Sequence, residues 1–198
     1  MDRGRGAATH REGGVDRALL ERARDGDQDA FATLVRQVSG TLFGVARRIL
    51  RDPGLAEDVL QNALMTIWRK LPGLREIEHF DGWAYRILVH ACYAAAPKNR
   101  RWISTVRELP LDHQHPQDHV RSVSDRDELE RAFRTLPLDQ RAVFVLHHHV
   151  GLPLVEVARA LGIPDGTARS RLHYATRALR AAFEANRAQE LEREGQPA

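Results

Sequence analysis

Arg169, Ser170, Arg171, His173, Tyr174 and Arg177 are the residues whose types and spacing point most directly to chemistry. They border an apolar stripe formed by Ala168, Leu172, Ala175 and Leu179. Guanidinium groups pair bidentately with guanine edges, and hydroxyls and cations hold phosphates, so the chemistry is DNA recognition. Thr167 adds a hydroxyl at the start of the segment. Residues two apart on a helix lie about 200° apart, so Arg169 and Arg171 cannot share one role. One is placed for a base edge and the other for the backbone, and the spacing does not say which. Catalytic groupings are not evident: serines, histidines and acids are present without a pattern that joins them, and no glycine-rich phosphate loop follows a strand. His147, His148 and His149 are consecutive, so they point in different directions on a helix and cannot all bind one ion. With His113, His115 and His119 they raise a metal sensor as an alternative, but no cysteine pair accompanies them. The expectation is therefore no metal and no cofactor.

A tight corner between two helices positions the arginines. Leu154, Val157, Ala158 and Leu161 recur at the helical period and form one apolar face. Gly162 follows, the residue that most cheaply takes a left-handed turn. Ile163 plugs the corner, Pro164 suits the start of the next helix, and Asp165 or Thr167 is placed to cap it. This is the pattern of a helix-turn-helix, whose second helix lies in a major groove. An ordinary helical hairpin with solvated arginines fits the same residues.

The rest of the chain also reads as helices. It has 198 residues, 42% hydrophobic and 29% charged, with 30 Lys and Arg against 27 Asp and Glu and a formal charge of +3. The pI near 9.5 reflects abundant arginine. No apolar run approaches the roughly 20 residues needed to span a bilayer, so no membrane insertion is expected. The opening segment has no apolar core and does not read as a signal peptide. The single cysteine, Cys92, suits a reducing cytoplasm. Residues 1–14 read as a disordered tail. Helices are expected from Val15 to Asp25, from Asp29 through Leu50, from Leu55 to Leu71, and from Gly82 to Ala96 with Trp83, Ile87, Leu88 and Ala91 on its apolar face. The third carries a stripe of Val59, Ala63, Ile67 and Leu71, with Asp58, Gln61, Asn62, Met65 and Arg69 on its outer side or border. Residues 15–102 form a first domain, 103–124 a flexible linker without periodicity, 125–186 a second domain, and 187–198 a frayed tail. In the second domain, helices are expected over Asp125–Leu136 and Leu138–Val150. VFVL at 143–146 is β-prone, but its flanks favour a helix. The fold class expected is all-α, two small helical domains with the helix-turn-helix in the second.

LAEDVLQNALMTIWRKLPGL followed by HFDGWAYRILVHACY resembles region two of bacterial RNA polymerase sigma factors of the sigma-70 family, extracytoplasmic-function group. LPLDQRAVFVLHHHVGLPLVEVARALGIPDGTARSRLHYATRALR resembles their region four. The resemblance implies a non-enzymatic subunit that binds core RNA polymerase and directs it to promoter DNA. It places polymerase binding on Asp58, Gln61, Asn62, Met65, Trp68 and Arg69. The 74–81 loop would receive an unstacked minus-ten base, with Arg86, Lys98, Arg100 and Arg101 near the DNA path. Arg169, Ser170, Arg171, His173 and Tyr174 would read the minus-thirty-five element, and an anti-sigma protein would hold the two domains. Phe80 and Trp83 flank the loop as possible stacking platforms, although each aromatic taken singly reads as core packing. The chain departs from the family at Ala94–Pro97, where a polar or acidic residue and a basic run are usual. Pro153 and Pro164 also stand where capping serines are usual. The competing class is a self-sufficient helix-turn-helix regulator, with residues 15–102 serving dimerisation or sensing.

Overall fold

The structure is a computed structural model that describes residues 15–96, 132–133 and 135–194, with side chains as far as 185. The 1–14 tail, Lys98, Arg100, Arg101, the 103–124 linker and most of the helix expected over Asp125–Leu136 lie outside the described residues.

All regular structure among the described residues is helical, and each boundary has a local cause. Helix α1 (Arg17–Arg24) begins where the Asp16 carboxylate accepts from the Ala18 N–H at 3.0 Å. After Gly26, at φ +96°, the Asp27 carboxylate accepts from the Ala30 N–H at 2.9 Å and starts α2 (Gln28–Leu50). The helix expected from Asp29 through Leu50 thus runs without a break. It ends at Arg51, a non-glycine residue at φ 64°. Asp52 caps α3 (Pro53–Lys70) from the Leu55 N–H at 3.0 Å, with Pro53 in the first turn, so Asp52-Pro53-Gly54 starts one helix as it ends the other. Two single 3-10 turns, Leu71–Gly73 and Ile77–His79, lead to α4 (Phe80–Ala95). Past Pro137, α5 (Leu138–Phe144) passes into a π turn at Val145–His149, so the VFVL stretch is helical. Helices α6 (Leu154–Leu161) and α7 (Asp165–Glu194) complete the fold. Helix α7 continues well beyond residue 186, where the sequence reading ended the second domain.

The α3 stripe packs as its spacing predicts: Ala56, Val59, Ala63 and Ile67 are buried, and Leu71 is buried just beyond. Leu34, Ile49, Ile67 and Leu88 lose nearly all solvent contact. Each such side chain contributes roughly 1.5–3 kcal/mol. Helix α4 buries Phe80, Ala84, Tyr85, Leu88, Val89 and Cys92, whereas Trp83, Ile87 and Ala91 are only partly buried. Of the face expected from periodicity, only Leu88 is fully inside. The cause is tertiary: α4 is contacted by α2 and α3 and also by α6, so two sides are covered instead of one. The apolar cluster runs unbroken from Leu20 in α1 to Leu179 in α7 and joins the two halves of the chain. No helix among the described residues is long and apolar enough to cross a membrane.

Candidate nucleic-acid and polymerase interfaces

The corner between α6 and α7 is built as its residues require. Gly162 sits at φ +66°, and the Ile163 N–H donates to the Ala158 carbonyl at 3.0 Å. The cap of α7 differs from the sequence expectation. Asp165 and Thr167 both lie within the first turn, and the residue before the helix is Pro164, whose carbonyl accepts from the Ala168 N–H at 3.1 Å. Asp165 instead places a carboxylate at the positive end of the helix dipole. Ala168, Leu172, Ala175 and Leu179 are buried, as their spacing predicts.

The opposite side of α7 sorts the DNA candidates. Arg169 and Arg177 are exposed. His173 and Tyr174 are half-buried, their rings edge-on at 5.7 Å. The Ser170 hydroxyl donates to the Thr167 carbonyl at 3.0 Å. Arg171 is turned inward: its Nε lies 2.9 Å from Asp139 Oδ2, and the two side chains keep only 23% and 17% of their exposure. The sequence reading missed Asp139. An acid in the first turn after Pro137 reads as a dipole complement, and only the fold brings it to a residue 32 positions later.

In the first half, Asp58, Gln61, Asn62 and Arg69 are exposed on α3, and Met65 is 60% exposed. Trp68 packs against Phe31 of α2, the rings tilted at 53° with 4.6 Å between centroids. Gln28, Phe31, Leu64, Met65 and Trp68 line an open, largely apolar groove of about 390 Å³. Phe31 of α2 belongs to this surface as well, which nothing in the sequence around Trp68 signals. The 74–81 loop is held by ion pairs: Arg17 Nη1 meets Glu78 Oε1 at 2.5 Å, and His79 Nδ1 meets Glu76 Oε2 at 2.6 Å. The Glu78 carboxyl is held below the usual carboxylate range, first by its own backbone N–H and then by Arg17. Phe80 is 2% exposed, its ring 6.0 Å from that of Trp83, so core packing occupies the stacking platform expected there. Arg86 is exposed on α4.

The three consecutive histidines diverge. The His147 Nδ1–H donates to the Leu152 carbonyl at 2.8 Å, and the His148 ring packs tilted against Phe144 at 4.5 Å between centroids. His149 lies on the exposed side, its pKa lowered by burial and by Arg48. The π turn contributes to this spread, because the Val150 N–H bonds back to Val145 at 3.0 Å. Among the described residues no three His, Cys, Asp or Glu side chains converge on a metal-sized space. Cys92 is fully buried, and that burial pushes its thiol up to about 12, so it is no nucleophile at neutral pH.

Comparison with known proteins agrees with this layout. Residues 34–101 match the Sigma-70 region 2 family, and residues 126–179 match the Sigma-70, region 4 family. The chain is 31% identical over 157 residues to the ECF RNA polymerase sigma factor SigM of Mycobacterium tuberculosis, covering 79% of this chain and 78% of that protein. It is 30% identical over 177 residues to the ECF RNA polymerase sigma-E factor of Escherichia coli K12, covering 83% and 92%. SigW of Bacillus subtilis is 26% identical over 173 residues, covering 81% and 92%. Among solved structures, CnrH in complex with the cytosolic domain of CnrY has the same fold at a TM-score of 0.64 and 24% identity, covering 87% of this chain and 99% of that one. RpoE from Bartonella quintana, bound to the anti-sigma factor NepR, superposes at 0.60 with 23% identity, covering 78% and 96%. With both regions matched in order and more than three quarters of each relative covered, the chain belongs to the extracytoplasmic-function group of RNA polymerase sigma factors, the subunits that bind core polymerase and direct initiation at particular promoters.

Proposed function

We propose that α7 reads the minus-thirty-five duplex chiefly through Arg169, with Thr167, Ser170, His173, Tyr174 and Arg177 as flanking contacts, and that Arg171 supports the helix from behind. The observation that carries this reading is the contrast between the two arginines: Arg169 is exposed, whereas Arg171 is paired with Asp139 at 2.9 Å. A guanidinium already committed to a carboxylate must break that pair before it reaches a base, while Arg169 has no such debt.

The polymerase surface in this reading is the exposed edge of α3, Asp58, Gln61, Asn62, Met65 and Arg69, together with Trp68 in the adjoining groove. Met65 supports it, because a largely exposed methionine beside an apolar groove is chemistry for a protein partner. The 74–81 loop takes the unstacked minus-ten base, and Arg86 lies beside the DNA path, with Lys98, Arg100 and Arg101 continuing it. The chain works in the cytoplasm as an initiation factor and not as an enzyme. An anti-sigma protein is its regulatory partner, as CnrY is found with CnrH and NepR with RpoE.

The test is binding of the holoenzyme to a library of minus-thirty-five variants at several salt concentrations. Arg169→Ala should cost about 1–3 kcal/mol and relax preference at one position. Unchanged discrimination by Arg169→Ala would sink the assignment.

A further inference from the structure

Sulfur is scarce in this chain. It holds two methionines, Met1 and Met65, and one cysteine, Cys92. Met1 lies outside the described residues. Cys92 is shut inside the core, and that burial raises its thiol pKa. Met65 is the opposite case. Among the described residues only Met65 and Val155 are large apolar side chains left exposed, and Met65 keeps 60% of its exposure. Its place on α3 explains this. Ala63 and Ile67, two residues to either side, are buried in the stripe, and a step of two turns a helix by about 200°. Met65 therefore points away from the core.

Its surroundings are not those of a scattered surface residue. With Leu64, Trp68, and Gln28 and Phe31 of α2, it lines the open groove of about 390 Å³. A thioether on three rotatable bonds fits itself to whatever apolar surface arrives, which suits docking. The same sulfur lone pairs are open to oxidants, and exposure sets how fast they react.

We propose that Met65 is a modification site, at which a hydroperoxide converts the thioether to the sulfoxide and so weakens docking of core RNA polymerase on α3. A sulfur lone pair attacks one peroxide oxygen. The S–O bond forms as the O–O bond breaks, and the leaving oxygen takes up the proton, departing as water when the oxidant is hydrogen peroxide. Sulfur gives up two electrons and the peroxide gains them. The product is polar and chiral, and reductases return it to the thioether. In an apolar contact the new oxygen must be dried without a donor or keep water in the groove, and both oppose binding. Gln61 and Arg69 lie one turn to each side and are exposed, so donors stand outside the groove. The Arg69 Nε already donates to the Met65 carbonyl at 3.4 Å. Met65 lies outside the apolar core, so the change spares the fold. The consequence for docking rests on the reading of α3 as the polymerase surface; the oxidation does not.

The test treats the full chain with dilute hydrogen peroxide, locates added oxygen by peptide mass mapping, and titrates the chain against core RNA polymerase. Met65 should gain one oxygen while the helical circular dichroism stays unchanged. The oxidised chain should bind core about tenfold more weakly, within the range for setting one polar group into an apolar contact. Methionine sulfoxide reductase with a dithiol should restore the affinity. Met65→Leu removes the sulfur, and whatever affinity that variant starts from, peroxide should not move it. A folded chain in which Met65 stays unoxidised overturns the proposal. So does a sulfoxide chain that binds core as tightly as before, or a loss that the Met65→Leu chain shares. Holoenzyme assembled before peroxide separates the two readings, because docked polymerase should shield Met65. Equal oxidation in holoenzyme and free chain would strike at the reading of α3, whereas shielding with an unchanged affinity of the sulfoxide chain would strike at this proposal alone.

Discussion

At Arg171 the guanidinium and the Asp139 carboxylate share a site that is mostly shielded from water, while Asp139 Oδ1 has no hydrogen-bond partner there. Two opposed quantities matter: the attraction of the pair, and the cost of drying both charges. Removing one partner leaves the desolvation cost without the attraction. Asp139→Ala should therefore destabilise the second half by about 3 kcal/mol, the low end for a buried pair because this one is not wholly enclosed. The exchanged variant, Asp139→Arg with Arg171→Asp, should recover part of that loss in urea unfolding. If Asp139→Ala left the urea midpoint unchanged while abolishing promoter preference, Arg171 would be a reader and not a support. The pKa of the Arg141 guanidinium is lowered by burial first and then by Arg51.

Among the elements, the caps of α2 and α6 make separate predictions. The Asp27 carboxyl is held below the usual carboxylate range by the Ala30 N–H first and by Arg22 next. A carboxyl depressed in the folded state stabilises fully above its unfolded value, about pH 4. That contribution is lost as pH falls through the lower, folded value. Asp27→Asn keeps an acceptor but no charge, so it should lower the urea midpoint at pH 7 and converge with the wild type near pH 2. A gap that stayed constant with pH would show that the charge contributes nothing. Gly162 is a different case. A Cβ there would meet nothing closer than Arg86 Nη2 at 3.9 Å, so space does not forbid alanine. The left-handed φ of +66° does, at about 1–2 kcal/mol. Gly162→Ala should lower thermal stability by that amount, and no loss would mean that the corner relaxes to negative φ.

Across the whole molecule, one apolar core carries both halves, although the sequence between them lost all periodicity at 103–124. Limited proteolysis should cut that stretch first, and the two fragments should still elute together, because α4 and α6 remain in contact. Early cutting inside α3 would contradict the expected boundary, and fragments that separate at once would show that the core between the halves is too weak to hold without the chain.

Local patterns determined a great deal without any coordinates. Gly162 after an apolar face, aspartates before helices, and the alanine and leucine stripe of α7 each act within a turn or two of chain, so spacing alone made the helices, the corner and the outward Arg169 and Arg177 legible. The order of the two regions made the family legible as well. Facts that depend on distant chain were not. Nothing in the neighbourhood of Arg171 names Asp139, nothing around Trp68 names Phe31, and the expected face of α4 failed because α6 covers a second side of it. Periodicity reports one apolar direction per helix. Which neighbours arrive, and from how many sides, is set by burial summed over the whole chain, and only the tertiary structure performs that sum.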